Sequence, residues 1–113
     1  MGKFDTFIQT KILRPIRLKA ILRILRKIPK GTILDLGCMD DYLLKKLPNK
    51  FNYLGYDLSP LCRHTKIIRD KVENIPKNKK FDLVMATEVL EHVDDPVLTI
   101  KKMKSLSNKF ILI

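Results

Sequence analysis

The spacing of apolar residues along this 113-residue chain changes from a helical to a strand-like pattern near residue 30. In residues 16–28, apolar side chains recur at helical intervals and basic side chains occupy the opposite face, which predicts an amphipathic helix. Pro15 suits the first turn of this helix, and residues 29–31 supply stop signals at its end. Residues 4–13 are predicted to form a separate short helix before it. The predicted apolar face comprises Leu18, Ile21, Leu22, Ile24, Leu25 and Ile28.

After residue 30, short apolar runs bounded by glycine, proline or aspartate predict buried strands. These runs are residues 32–36, 51–56, 66–69, 81–86 and 110–113. Helices are predicted at residues 41–47, with Asp40 as N-cap, and at residues 95–106. Strands that alternate with helices imply crossover connections and a parallel sheet. We therefore expect a three-layer α/β domain in residues 31–113, preceded by an N-terminal basic helical segment, residues 1–30.

The chain carries a formal net charge of +11, and most of this excess lies in its first 30 residues. That segment has nine basic side chains and one acidic one. Such a surface attracts nucleic acid or an anionic membrane, whereas the alternative is a solvated helix face whose apolar side covers the sheet. We favour the second interpretation, because an amphipathic helix normally buries its apolar face in a core.

Composition narrows the class of protein further. No apolar run reaches the roughly 20 residues needed to cross a bilayer, and the N-terminus has no signal-peptide pattern. The two cysteines, Cys38 and Cys62, form neither a disulfide framework nor a metal-ligand spacing. We therefore expect a single small domain in the cytoplasm.

Acidic residues and a glycine lie at the carboxyl ends of the first three predicted strands, at Asp35, Gly37, Asp57 and Asp70. Ligands bind open parallel sheets outside these ends, where the strand order reverses. Asp57 lies 20 residues after Gly37, and an acid at that distance from a glycine turn can accept both ribose hydroxyls of an adenosine ligand. The segment after Gly37 lacks the later glycines of a dinucleotide-binding motif, which argues against a dehydrogenase. The alternative for each acid is a cap on a helix or turn.

Four segments, in order, resemble the motifs of class I S-adenosylmethionine (SAM)-dependent methyltransferases, in particular the methyltransferase type 11 and ubiquinone-pathway enzymes. They are ILDLGC at 33–38, YLGYDLSP at 53–60, RDKVENIP at 69–76 and FDLVMATEVLEHVDDP at 81–96. The resemblance covers roughly residues 30–113. It implies a Rossmann-like sheet, SAM as the cofactor, and methyl transfer to an acceptor that the motifs do not identify.

The resemblance also implies which residues bind SAM. They are Asp35, Gly37, Asp57, Leu58, Asp70, Ala86 and Thr87. Asp35 would help to hold the methionine ammonium group, Asp57 would accept the ribose hydroxyls, and Asp70 would accept the adenine amino group. Leu58 would pack against the adenine ring, and residues 86–87 would line the methionine end.

The chain also departs from the family pattern. Gly37 is present and would let the backbone pass close to the cofactor, but Met39 and Asp41 stand where small residues, usually glycine, are expected. The stretch from Asp57 to the third strand is short for a crossover helix. The chain also ends after its fifth strand, so we expect a sheet that is incomplete at the C-terminus. These departures keep open an alternative: a truncated or degenerate methyltransferase fold without catalysis, whose sheet is completed by a protein partner.

The string Glu88-Val89-Leu90-Glu91-His92 follows the fourth predicted strand. In RNA 2′-O-methyltransferases and ubiquinone-pathway O-methyltransferases of this fold, a similar series is associated with a divalent metal, for which Glu88, Glu91 and His92 are the candidate ligands here. We favour a local loop with no metal. Methyl transfer is an in-line displacement that depends on positioning, so we expect no universal catalytic residue. Glu91 or His92 would serve as general base if the acceptor is a hydroxyl.

Overall fold

The computed structural model describes residues 8–87 and 93–113 of the chain. In these residues, five parallel strands form one sheet with helices on both faces. The strands are β1 (Gly31–Leu36), β2 (Phe51–Asp57), β3 (Ile67–Arg69), β4 (Phe81–Met85) and β5 (Ser107–Leu112). The helical elements are a π-helical segment (Ile8–Leu13), α1 (Arg14–Leu25), α2 (Tyr42–Lys46), a 3₁₀ turn (Val72–Asn74) and α3 (Pro96–Leu106). The expected three-layer, Rossmann-like α/β fold is thereby confirmed, with a helix before the first strand.

The order of the strands in the sheet is β3-β2-β1-β4-β5. β1 pairs with β2 on one side, where Asp35 lies opposite Gly55, and with β4 on the other, where Asp35 lies opposite Met85. The chain runs outward from β1 to β3, crosses back to β4, and then continues outward to β5. The strand order therefore reverses beside β1, which is the position where open parallel sheets bind ligands.

The sheet separates two apolar cores, because successive residues of a strand face opposite sides. Ile33 of β1 packs on the side of α1, where Leu25 is fully buried. Leu34 packs on the opposite side, where Met103 of α3 is fully buried. Asp35, two residues after Ile33, therefore faces the α1 side of the sheet.

The limits of α1 differ from those of the predicted helix at residues 16–28. Pro15 lies in its first turn as expected, but the helix ends at Leu25. The helix predicted at residues 4–13 is present in its described part as the π-helical segment Ile8–Leu13, which runs directly into α1; the rest of that segment lies outside the described residues. A wider turn is compatible with Pro15, because proline has no N–H to donate and its ring crowds the preceding helical turn.

The predicted apolar face of α1 packs on the sheet, with one exception. Leu25 and Ile28 are buried, and Leu18, Ile21 and Leu22 are partly buried against the same core. Ile24 is 41% exposed, because it lies at the edge of the apolar arc, and its assignment to the buried face was wrong. None of the helices in the described ranges combines the length and the apolar composition that crossing a bilayer requires.

The connections between strands also differ in detail from the prediction. α2 begins at Tyr42, so the N-cap position is Asp41, whose side chain makes no capping hydrogen bond. The Asp40 carboxylate instead accepts a hydrogen bond from the backbone N–H of Tyr42 at 3.0 Å. Residues 58–66, all of them described, contain no helix, in line with the short length of this crossover. β5 begins at Ser107, which pairs with β4 across an irregular register.

The packing of α1 predicts a difference between two neighbouring apolar residues. We expect Leu25→Ala to lower the free energy of unfolding by about 2–5 kcal/mol, because it leaves a cavity in the core. Ile24→Ala, at an exposed position of the same helix, should cost well under half of that. Urea denaturation followed by circular dichroism measures both values. Equal and small losses would contradict the packing of α1 against the sheet.

Candidate functional site

A cleft of about 110 Å³ lies between α1 and the carboxyl end of β1. The cleft is lined at the carboxyl ends of the strands by Asp35 and Gly37, which belong to β1 and the turn after it, and by Thr87, which follows β4. These two strands lie on either side of the point where the strand order reverses. The remaining lining residues come from α1, from the loop after β1 and from the first turn of α2: Arg14, Arg17, Leu18, Ile21, Cys38, Met39, Tyr42 and Leu43. The cleft therefore joins an apolar wall to a small set of charged groups.

The Asp35 side chain is the buried charged group of this cleft. It is 6% exposed, and its Oδ2 accepts a hydrogen bond of 2.7 Å from the Tyr53 hydroxyl. Burial raises the pKa of Asp35 to about 7, the hydrogen bond from Tyr53 opposes this rise, and the negative charge of Asp57 adds to it. A positive group in the cleft would restore the ionised form, because an opposite charge nearby favours ionisation.

Tyr53 and Cys38 surround Asp35 with neutral groups. Burial, together with the Asp35 charge, raises the pKa of Tyr53, and the same two causes raise the pKa of the Cys38 thiol to about 12. Both groups therefore stay protonated at neutral pH. Gly55 makes room for them, since a Cβ atom at this position would lie 2.7 Å from the Cys38 sulfur. Sequence reasoning missed Tyr53, because its role becomes visible only when the strand register places it diagonally from Asp35.

The turn after β1 brings the backbone close to β2. Gly37 has a φ of 69°, which is unstrained for glycine, and its N–H donates a hydrogen bond of 2.7 Å to the Tyr56 carbonyl. Met39 has a φ of 67° and is 42% exposed at the rim of the cleft. A non-glycine residue in this left-handed region is strained by roughly 1–2 kcal/mol. Met39 therefore occupies a backbone position that suits the glycine of the family pattern.

The carboxylate of Asp57 is held by two backbone N–H groups. Its Oδ2 accepts from Met39 and its Oδ1 from Ser59, each at 2.8 Å. This is the turn-capping role that the sequence left open, and it fastens the Met39 loop to β2. Each carboxylate oxygen has a second lone pair, so two further acceptor positions remain for hydroxyl donors.

Leu58 and Asp70 directly follow β2 and β3, at the carboxyl ends of these strands. The backbone N–H of Asp70 donates to the Asp57 carbonyl at 3.2 Å, which places the two residues side by side. Oδ1 of Asp70 accepts from the Asn74 side chain and from the Lys71 backbone N–H, and these bonds, the first above all, hold the pKa of Asp70 below its usual value. Leu58 is exposed beside this pair. The structure thus presents an acid and an apolar surface next to Asp57, and none of these three residues belongs to the lining of the cleft.

Ala86 and Thr87, which follow β4, are placed differently from each other. Thr87 lines the cleft. The side chain of Ala86 is buried in the core on the α3 side, and its backbone N–H donates to the Leu112 carbonyl at 2.9 Å. Any contact of Ala86 with a ligand would therefore come from its backbone.

The candidate metal ligands and general bases Glu88, Glu91 and His92 lie outside the described residues. Within residues 8–87 and 93–113, no three His, Cys, Asp or Glu side chains gather as a metal site.

Two acidic residues of the 37–41 loop are paired with cations. Asp40 contacts the Arg14 guanidinium, which also stacks on the Tyr42 ring at 4.0 Å from its centroid. Asp41 lies 3.5 Å from the ammonium of Lys45, one helical turn later. The pairing offsets the negative charge that these acids bring to the loop. Sequence reasoning missed Arg14, because the contact joins residues that are far apart along the chain.

A family model described as a methyltransferase domain matches residues 6–111 of the chain. Comparison with curated protein sequences gives no significant match. Among solved structures, the N-methyltransferase NodS from Bradyrhizobium japonicum WM9, in complex with S-adenosyl-L-homocysteine (SAH), is similar with a TM-score of 0.73 at 17% identity, over 89% of this chain and 60% of NodS.

Two further solved structures have the same fold. The plantazolicin methyltransferase BpumL, in complex with a triazolic desmethylPZN analog and SAH, gives a TM-score of 0.67 at 18% identity, over 88% of this chain and 45% of BpumL. A chain of the complex between the Haloferax volcanii Trm112 methyltransferase activator and a methyltransferase gives 0.65 at 18%, over 96% of this chain and 57% of that one. This chain thus spans 45–60% of the length of these three chains. From its fold and the match over residues 6–111, the chain belongs to the methyltransferase-domain family.

Proposed function

We propose that the chain binds SAM in the cleft between α1 and β1 and serves SAM-dependent methyl transfer. The observation that carries the proposal is the buried Asp35 carboxylate, which faces a cleft beside the Gly37 turn. Membership of the methyltransferase-domain family supports it, as do the structures of NodS and BpumL in complex with SAH. SAM would supply a methyl group activated by a positively charged sulfur.

The residues present fit such a ligand. Asp35 offers a negative partner to the ammonium group of the methionine end, and Gly37 offers backbone without a side chain in the way. Asp57 has acceptor positions left for the ribose hydroxyls, and Leu58 with Asp70 offers a surface and an acceptor for the adenine. Residues 86–87 would then lie near the methionine end.

Catalysis by this chain would depend mainly on holding the donor and the acceptor in line. If the methyl group is transferred to a hydroxyl, we propose Glu91 or His92 as the general base that takes the hydroxyl proton. These residues do not identify the methyl acceptor.

The exposed basic side of α1 is a candidate surface for nucleic acid or an anionic membrane. We do not favour this role, because the opposite side of the helix packs in the core and accounts for its amphipathic pattern.

The second candidate function is a binding module without catalysis. β5 pairs with β4 along one edge, and Phe110 on β5 is exposed. An open strand edge of this kind accepts a further strand from another segment or from a partner. Binding of SAH separates this function from SAM-dependent methyl transfer, since a degenerate module has no need to retain the cofactor site.

The location that we propose for the chain is a reducing compartment such as the cytoplasm, because Cys38 and Cys62 are free thiols.

We expect SAH to bind the native chain with micromolar affinity in isothermal titration calorimetry. Asp57→Asn should weaken this binding about tenfold, because it removes a charged acceptor of the ribose hydroxyls. Asp82→Asn is the matched control, because Asp82 lies at the amino end of β4, away from the proposed site at the carboxyl ends of the strands. There its carboxylate accepts a hydrogen bond from the Thr32 backbone N–H. Absence of SAH binding to the folded native chain would refute the proposal and favour the binding module.

The backbone strain at Met39 gives a second prediction. We expect Met39→Gly to tighten SAH binding several-fold, because it removes both the side chain at the rim and the cost of the left-handed conformation. Met39→Ala, which removes the bulk but keeps the strain, should give a smaller gain. Calorimetric titration of the two variants measures the difference. A loss of affinity in Met39→Gly would mean that the methionine side chain contributes to the site.

The raised pKa of Asp35 predicts a pH dependence of stability. The unfolded chain releases this proton near pH 4, whereas the folded protein releases it near pH 7, so the free energy of unfolding falls as pH rises through that window. Asp35→Asn never ionises and keeps an acceptor for the Tyr53 hydroxyl. We expect the variant to match the native chain at about pH 4 and to exceed it in unfolding free energy above about pH 7.

Urea denaturation at a series of pH values measures both curves. If the difference between the Asp35→Asn variant and the native chain were constant across this range, Asp35 would not carry the buried proton.

A further inference from the structure

A second cavity, of about 660 Å³, lies beside β3, at the edge of the sheet opposite to β5. It is bounded by β3 and by the connection from β2 to β3, residues 58–66, which contains no helix. None of its lining residues lines the cleft between α1 and β1 or belongs to the set that we propose to bind SAM. The cavity is therefore a separate candidate site. Its chemistry depends on Pro60, Leu61, Arg63, His64, Ile67 and Arg69.

Contacts with neighbouring elements hold the lining segment 61–66 in place. The backbone N–H of Leu61 donates to the Met39 carbonyl at 2.7 Å, and the Lys66 carbonyl accepts from the Gly55 N–H at 2.8 Å. Between these two bonds, Cys62 packs against the core on the α1 side of the sheet. A cavity wall that is ordered before a ligand arrives loses less conformational entropy on binding.

Two hydrogen bonds within a tight turn orient His64. Its carbonyl accepts from the Ile67 N–H and its Nδ1 accepts from the Lys66 N–H, each at 3.0 Å. A neutral imidazole that accepts at Nδ1 carries its proton on Nε2. His64 therefore brings an N–H donor to the cavity, with its ring held by the backbone of its own turn.

The charged side chains that line the cavity are basic. Arg63 and Arg69 line it, and no aspartate or glutamate does. Among the residues that the structure describes, no carboxylate forms an ion pair with either arginine. Asp70 follows Arg69 in the chain, but its Oδ1 is bonded to the Asn74 side chain and to the Lys71 backbone. The two guanidinium groups thus lack a counter-charge from these residues, which favours an anion in the cavity.

A phosphate monoester matches these groups better than a carboxylate does. It has three terminal oxygens and a charge of about −1.5 to −2 at neutral pH, whereas a carboxylate has two oxygens and a single charge. Two guanidinium groups and one imidazole N–H suit the monoester in both charge and number of donors, because a guanidinium gives a phosphate two parallel N–H donors. Leu61, which is 75% exposed, and Pro60 offer an apolar contact to the organic part of the ester.

We propose that this cavity binds a phosphate monoester, with the phosphate group at Arg63, His64 and Arg69 and the organic part against Pro60 and Leu61. The inference goes beyond the proposed function and does not depend on it, because the cavity and the cleft share no lining residue. The connection between β2 and β3 thereby becomes the binding element for a second ligand.

Titration of the chain with phenyl phosphate, followed by ¹H and ³¹P NMR, tests the assignment. We expect a dissociation constant of about 1 mM or lower for the native chain, and no binding of phenol, which lacks the phosphate. Arg63→Gln and Arg69→Gln should each weaken phenyl phosphate about tenfold, because each removes a charge-assisted contact. Arg23→Gln is the matched control and should leave binding unchanged, since Arg23 is exposed on α1 and its loss alters the net charge equally.

His64→Asn tests the imidazole donor. Asparagine keeps an acceptor for the Lys66 N–H but lacks the Nε2 donor, so we expect several-fold weaker binding of phenyl phosphate. A circular dichroism melt of each variant reports whether it is folded. Arg63 and Arg69 are exposed, so both glutamine variants should fold, and either one alone decides the role of the arginines.

Two further probes identify the source of the phosphate. Inorganic phosphate should bind more weakly than phenyl phosphate, and equal affinity would contradict the contact with Pro60 and Leu61. Vesicles that contain phosphatidic acid are sedimented with the native chain, with Arg69→Gln and with Arg23→Gln. Capture that Arg69→Gln alone abolishes assigns the monoester to a lipid, whereas capture that is the same in all three assigns it to a soluble ester.

Three outcomes overturn the inference. The first is no binding of phenyl phosphate by the folded native chain. The second is equal weakening in Arg23→Gln, which would mean that the net charge of the chain attracts the anion. The third is binding of phenol as tight as that of phenyl phosphate, which would mean that the cavity takes an apolar group. SAH binding is measured separately, so the proposed function stands or fails independently of these results.

Discussion

A carboxylate buried in the middle of a parallel sheet is costly unless a partner compensates for it. Asp35 stands at such a place, on the central strand and next to the reversal of strand order, with the Tyr53 hydroxyl as a neutral partner. This arrangement leaves the charge uncompensated on the side that faces the cleft. Burial raises the pKa of Asp35 to about 7, and a positive group in the cleft would hold the carboxyl in its ionised form. This links the fold to the proposed ligand, since the strand order that buries Asp35 also opens the cleft above it.

Helix α1 connects the stability of the domain to the site. Its apolar side contributes Leu25 to the core, while Arg14 and Arg17 near its start line the cleft. The 37–41 loop approaches from the other side and is fastened by the Asp57 carboxylate. Asp57 thus caps a turn and is also the residue that we propose to hold the ribose, and the two roles are compatible because a carboxylate has more lone pairs than the turn uses.

Much of the fold could be predicted because its signals are local. The glycine and aspartates at strand ends, the proline at the start of α1 and the apolar runs of β1 and β4 each identify an element without knowledge of the others. Tyr53, Cys38 and Arg14 could not be found in this way. Their contacts with Asp35 and Asp40 depend on strand register and on the position of α1, which are set by packing between distant parts of the chain. Met39 falls between these two cases. The family pattern marks position 39 from the sequence, but only the φ angle in the structure explains why glycine suits it.

We propose that a single site at the carboxyl end of β1 binds an adenosine-linked amino acid. Titration of the ¹⁵N-labelled chain with SAH, followed by amide chemical shifts, tests it residue by residue. We expect the signals of Gly37, Met39 and Thr87 to move together with one dissociation constant, while those of Gly31 and Asp82, at the amino ends of β1 and β4, stay in place. Shifts that spare the first three residues at saturating SAH would contradict it.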